Sequence, residues 1–174
     1  MERRCVLGVL RPQDILILLK LLPWGQNWTF DQIAHELGFS SSAVHRSIDR
    51  ATRSGLFNRA RKEVDRPSLT EFLVHGLRYV FPAESEGEAR GVPTAWAAPP
   101  LSERVSQSGI PPVWPDAHGR VFGVSLKPLD PRVPEAARRD QPLGELLALV
   151  DAIRIGGARE RRLAAELLED RLRA

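Results

Sequence analysis

Cysteine is almost absent from this chain, which has only Cys5 among its 174 residues. A single cysteine excludes an internal disulfide framework and a zinc site built from several thiolates. Long apolar runs are absent too, and none approaches the ~20 residues that a membrane-spanning helix needs. The apolar run at residues 5–10 is short for the core of a signal peptide. We therefore expect a cytoplasmic protein that does not enter a membrane.

Signals of catalysis are missing as well. The four histidines show no ligand spacing such as H-E-x-x-H, and there is no glycine-rich phosphate loop. Cys5 lies in an apolar run without a nearby histidine, which favours an inert thiol over a nucleophile. We expect no enzyme activity and no catalytic residue, and we expect neither a metal ion nor a cofactor.

What the chain does have is an uneven distribution of charge. Its net charge is only +3, but residues 46–66 contain seven basic groups against three acidic ones. A local basic excess is typical of a surface that binds nucleic acid. On charge alone, a solvated surface without a partner would look the same.

Helical periodicity predicts four helices in residues 1–82. The first spans residues 12–22 and has a wide apolar face. A T-x-x-Q capping box at residues 29–32 begins the second, which Gly38 ends. Ser40 caps the third, helix 41–54, and the fourth ends near residue 82. Residues 56–60 read as a short strand, and no second strand is predicted because Pro67 follows too soon.

Residues 33–40 read I-A-x-x-L-G-F-S, and residues 42–48 read S-A-V-x-R-x-I. This pattern resembles the helix-turn-helix of bacterial transcription regulators. With a helix before it and a short strand after it, the resemblance extends to winged-helix regulators of the MarR-like kind over residues 11–66. It implies a mainly α fold with an N-terminal winged helix-turn-helix, and a dimeric repressor that inserts helix 41–54 into the major groove of double-stranded DNA.

The resemblance and the basic excess together assign DNA contacts to individual residues. Arg46 is the candidate for guanine, because its guanidinium fork matches O6 and N7. A carboxylate at Asp49 would repel phosphate, so it either faces a base or pairs with Arg46, Arg50 or Arg53. The predicted DNA-binding set is Ser41, Ser42, His45, Arg46, Asp49, Arg50, Arg53, Arg59, Arg61, Lys62 and Arg66.

The rest of the chain divides by composition into two segments that follow the DNA-binding domain of residues 1–82. Residues 83–135 are rich in proline and form an extended segment, with one strand at residues 120–127 that places Phe122, Val124 and Leu126 on one face. GVPTAWAAP at residues 91–99 and GIPPVWPDA at residues 109–117 are a weak repeat or a chance similarity. Residues 136–174 are helical again.

Two functions are compatible with this second half. In a dimeric repressor, it would serve dimerisation or ligand sensing. Alternatively, the protein is antitoxin-like: its N-terminal half represses its own operon while residues 83–174 wrap a partner protein. The predicted partner-binding residues are Trp96, Trp114, Arg159 and Arg162.

Overall fold

The structure is a computed structural model that describes residues 9–106 and 109–173. Cys5 and its predicted inert thiol lie outside the described residues. The fold is mainly helical with small sheets, and it divides into two compact units between Asp65 and Arg66. The boundary falls earlier than the predicted one at residue 82, because residues 66–80 pack against the C-terminal helices. The segments predicted as separate, 83–135 and 136–174, belong to one unit.

In residues 9–65, the first unit contains three α-helices followed by a small hairpin. Its elements are α1 (Pro12–Leu21), α2 (Phe30–Leu37), α3 (Ser41–Arg53), β1 (Phe57–Asn58) and β2 (Glu63–Val64). The two strands pair antiparallel, with Phe57 opposite Val64. The prediction of a single strand was therefore wrong. The hairpin (residues 57–64) needs only two residues a side, and Lys62 with φ 55° adopts the left-handed conformation in its turn.

Apolar side chains from all three helices fill the core of this unit. In α1, residues 15–19 are at most 1% exposed. Ile33 of α2 and both Val44 and Ile48 of α3 are at most 1% exposed as well. A helix as apolar as α1 is stable only when its neighbours cover it on nearly every side.

The second unit begins with a helix that contains one π-helical turn, Phe72–Gly76, between α4 and α5. Three strands and three α-helices follow in the part of the unit that the structure describes. The elements are α4 (Arg66–Glu71), α5 (Leu77–Val80), β3 (Ser85–Pro93), β4 (Pro112–Pro115), β5 (Val121–Leu126), α6 (Val133–Arg139), α7 (Gln141–Ile155) and α8 (Ala158–Arg173).

The three strands of the second unit close on one another. β3 pairs antiparallel with both β4 and β5, and β4 pairs parallel with β5. The backbones of neighbouring segments lie so close that only glycine fits at two positions. A Cβ added at Gly91 or at Gly123 would lie 2.0 Å from a carbonyl oxygen of the neighbouring chain segment. Glycine and proline in this region thus build a closed sheet and not an extended segment.

The close approach of the strands also decides which residues of β5 are buried. Phe122 is 61% exposed, whereas Gly123 and Ser125 of the opposite face are buried. Only small residues fit beside β4 on that side, because a Cβ at Gly123 would also lie 2.9 Å from the side chain of Val113.

A buried carboxylate joins the closed sheet to α7. Asp151 is 2% exposed and accepts hydrogen bonds from the Trp114 indole at 2.6 Å and from the Thr94 hydroxyl at 2.9 Å. Its other oxygen is 2.8 Å from Arg154, which also donates to the carbonyl oxygens of Phe81 and Pro82. Burial raises the pKa of the Asp151 carboxyl, and the ion pair with Arg154 acts against that rise.

Trp114 was predicted to be a surface anchor for a partner protein, and its burial contradicts that prediction. Its side chain is 2% exposed, and its indole N–H is used by Asp151. A buried indole finds a hydrogen-bond partner inside the protein, as Trp114 does here.

Replacing Asp151 by alanine should destabilise the protein strongly, because Arg154 and the indole of Trp114 lose their buried acceptor. The expected loss is about 3–5 kcal/mol in the free energy of unfolding, measured by urea denaturation. As a control, Asp170→Ala removes a carboxylate whose side chain is 71% exposed and should cost less than about 1 kcal/mol. Equal losses in the two variants would contradict the structural role of Asp151.

Candidate nucleic-acid interface

The residues predicted to cap α2 and α3 do so in the structure. The Thr29 hydroxyl accepts a hydrogen bond from the backbone N–H of Gln32 at 3.2 Å, and the side-chain oxygen of Gln32 accepts one from the backbone N–H of Thr29 at 2.8 Å. Gly38 lies at φ 72° and ψ 30°, in the left-handed conformation that ends α2. Ser40 then caps α3 through the Ala43 amide at 3.2 Å. The predicted capping box, C-cap glycine and N-cap serine are confirmed.

Helix α3 has one buried side and one exposed side. Val44, Ser47, Ile48 and Ala51 are at most 1% exposed. The opposite side, called here the exposed face of α3, consists of Ser42, His45, Arg46 and Arg53. Ser41 and Asp49 are partly exposed beside it. This helix thus offers hydroxyl, imidazole and guanidinium groups to solvent along one face.

Arg50 does not belong to that face, although it was predicted to contact DNA. It is 7% exposed, and its Nε and Nη2 atoms bond the two carboxylate oxygens of Asp14 at 2.8 and 2.6 Å. Asp14, in α1, is 0% exposed and also accepts from the backbone N–H of Arg11. The hydrogen bond with Asp14 raises the pKa of the Arg50 guanidinium against the effect of burial. Arg50 therefore fixes α3 on α1.

Asp49 was predicted to face a base or to pair with an arginine of its own helix, and its pairing partner lies elsewhere. Its Oδ1 atom is 2.6 Å from Nη2 of Arg59, which follows β1 in the hairpin. The predicted pairing with Arg46, Arg50 or Arg53 missed this contact, because a helical pattern gives no information about the later hairpin.

The hairpin is also attached to the loop before α2. The Lys62 ammonium donates to the Trp28 carbonyl at 2.5 Å and lies 5.0 Å from the centre of the Trp28 ring. The Trp28 indole donates in return to the Lys62 carbonyl at 3.3 Å. Lys62 was predicted to contact phosphate; one donor of its ammonium is used here, and the residue is exposed, so that role stays a prediction. The free end of the hairpin is marked by Arg61, whose side chain is 73% exposed.

Two further features of this surface were not predicted. The ring of His45 stacks on Phe30, with ring centres 3.4 Å apart and an interplanar angle of 13°. Arg11 is exposed and lines a shallow cleft together with Arg46 and Arg53. The sequence around Arg11 does not distinguish it from an ordinary surface arginine, because the two arginines beside it in this cleft belong to α3, more than 30 residues later in the chain.

The remaining predicted residues lie in the second unit. Arg66 begins α4 and donates to the carbonyl oxygen of Leu172 at 2.9 Å. It therefore stabilises the second unit and is not part of the basic surface of the first. Arg159 and Arg162 are exposed on α8, and Trp96 is partly buried. Their predicted role in binding a partner stays a prediction.

Residues 9–106 and 109–173 contain neither a candidate metal-binding cluster nor a candidate membrane-spanning helix. Within these ranges, no group of three or more histidine, cysteine, aspartate or glutamate residues is arranged to hold a metal ion. No helix in the same ranges combines the length and the apolar composition needed to cross a membrane.

The two arginines of α3 should respond differently to substitution. Arg50→Ala leaves the Asp14 carboxylate buried and unpaired, so the free energy of unfolding should fall by about 3–5 kcal/mol. Arg46→Ala removes an exposed side chain and should change it by less than about 0.5 kcal/mol. Urea denaturation of both variants measures the difference, and a stable Arg50→Ala protein would refute the anchoring role of Arg50.

Comparisons with protein-family models, with curated proteins and with solved structures found no match for this chain. The geometry of α3 and the hairpin is therefore the basis on which a function can be proposed.

Proposed function

We propose that this protein is a sequence-specific, DNA-binding transcriptional regulator that reads the major groove with α3. The observation that carries the proposal is the exposed face of α3, with Arg46 at its centre and the buried Asp14–Arg50 pair behind it. An α-helix fits the major groove, where each base pair presents a distinct set of donors and acceptors. A helix fixed to its own core can hold such side chains in one register.

The order of the elements supports the same proposal. Three helices, with a turn at Gly38 between the second and the third, are followed by a two-stranded hairpin. That order is the one expected for a winged helix-turn-helix, so we interpret the hairpin as a short wing. The Arg59 guanidinium lies beside α3 at Asp49, and Arg61 is exposed in the turn of the hairpin; both would contact phosphate.

Roles within the interface follow from the chemistry of each side chain. Arg46 would bind guanine in a bidentate manner, and Ser42 and His45 would contact base edges or phosphate nearer the start of α3. Arg11 and Arg53 would add phosphate contacts, which supply affinity without sequence information. We further propose a repressor that binds as a homodimer, because paired half-sites multiply specificity.

The antitoxin-like alternative has less support. It relied on an extended arm with two tryptophan anchors, but the region around Trp114 is folded into a closed sheet. Exposed apolar side chains do occur in the second unit, at Ile110 and Phe122. Because these residues belong to a folded unit and not to an extended partner-binding arm, we favour the DNA-binding proposal.

Selection of bound fragments from a pool of random duplexes tests the proposal directly. The purified full chain should enrich a short sequence containing guanine. Arg46→Ala should then lose about 1–3 kcal/mol of binding free energy on the enriched duplex and much less on random duplexes. Equal losses on both duplexes would contradict base reading by Arg46, and failure to enrich any sequence would contradict the proposed function.

Salt dependence separates a phosphate contact from an internal one within the hairpin. Arg61→Ala should weaken binding to all duplexes and flatten the dependence of log K on log salt concentration by ~1. Lys62→Ala should change this slope less, because its ammonium bonds the Trp28 carbonyl. The measurement is binding to one duplex between about 50 and 200 mM salt. A larger slope change in Lys62→Ala than in Arg61→Ala would contradict these roles.

A further inference from the structure

A single carboxylate, Asp49, interrupts the basic side of α3. It lies three residues after Arg46 and four before Arg53, a spacing that places the three side chains near one another on the helix. Its side chain is 40% exposed. A carboxylate here opposes binding to phosphate, so its presence on a DNA-binding surface needs a physical reason.

The partner of this carboxylate supplies that reason. Arg59 comes from the hairpin, and its side chain remains 60% exposed while Nη2 lies 2.6 Å from Asp49 Oδ1. A guanidinium carries five N–H donors, so a contact between one nitrogen and one oxygen leaves donors for another acceptor. An exposed ion pair of this kind contributes little to the stability of a fold. Its main effect is to hold the Arg59 guanidinium beside α3.

We propose that Asp49 is a positioning residue for Arg59 and thereby a determinant of DNA specificity. The ion pair orients Arg59 so that it reaches a phosphate only when α3 is fully inserted into the groove. On a duplex that does not admit α3 in this way, the carboxylate repels the backbone and Arg59 gains no phosphate contact. This role rests on the proposed function, because it requires that α3 bind DNA. Within that function, the Asp49–Arg59 ion pair increases the preference for the specific duplex over other duplexes.

A charge-matched pair of variants tests this role. Asp49→Asn and Glu63→Gln each remove one negative charge, and Glu63 is a hairpin residue that is 38% exposed and lies 3.8 Å from Arg61. Each variant is titrated against the enriched duplex and against a random duplex of the same length. Glu63→Gln should tighten binding to both duplexes by the same factor. Asp49→Asn should tighten binding to the random duplex alone and reduce the ratio of the two affinities about threefold, a size that an exposed ion pair can supply.

A double-mutant cycle connects the effect to Arg59. In an Arg59→Ala background, Asp49→Asn should no longer reduce the affinity ratio, because there is no guanidinium left to position. With Arg59 present, Asp49→Glu keeps the negative charge and should retain part of the affinity ratio that Asp49→Asn loses. Thermal unfolding midpoints of these variants should match the wild type, since both side chains are exposed.

The outcomes separate this inference from the proposed function. If the wild type enriches a sequence but Asp49→Asn and Glu63→Gln shift both affinities equally, Asp49 acts by charge alone and the inference is overturned. An unchanged effect of Asp49→Asn in the Arg59→Ala background would overturn it too. If the wild type enriches no sequence, the proposed function fails first, and the inference fails with it.

Discussion

The buried ion pair between Asp14 and Arg50 is the interaction on which the candidate interface depends. It joins α1 to α3 across 36 residues of sequence through two charge-assisted hydrogen bonds. Both side chains are almost completely buried, so neither can be removed without leaving the other charge unpaired. The pair fixes α3 against the core of its unit and thereby sets which of its side chains face outward.

The basic excess that first suggested nucleic-acid binding divides into structural and accessible groups. Arg50, Lys62 and Arg66 each use their charged ends within the protein, on a carboxylate or on a backbone carbonyl. The other four, Arg46, Arg53, Arg59 and Arg61, are exposed on α3 and the hairpin. A charge count along the chain overestimates a binding surface, because arginine and lysine also serve as internal hydrogen-bond donors.

Features that depend on neighbouring residues could be predicted from the sequence. The capping box at Thr29, the left-handed Gly38 and the N-cap at Ser40 each require only a few consecutive residues. The contacts that were missed all join distant segments: Arg50 with Asp14, Arg59 with Asp49, and Trp114 with Asp151. The sequence gives no direct signal of which charged or polar residue will find a partner after folding.

Contacts between distant segments also explain why the closed sheet of the second unit was not predicted. The prolines of residues 83–135 exclude a continuous helix, as predicted, but the glycines of the same region also allow the close backbone contacts of a closed sheet. Methylation interference on the enriched duplex tests the central claim, that α3 lies in the major groove, most directly. Methyl groups at guanine N7, which project into that groove, should abolish binding. Binding that is blocked only by methylation at adenine N3, in the minor groove, would contradict it.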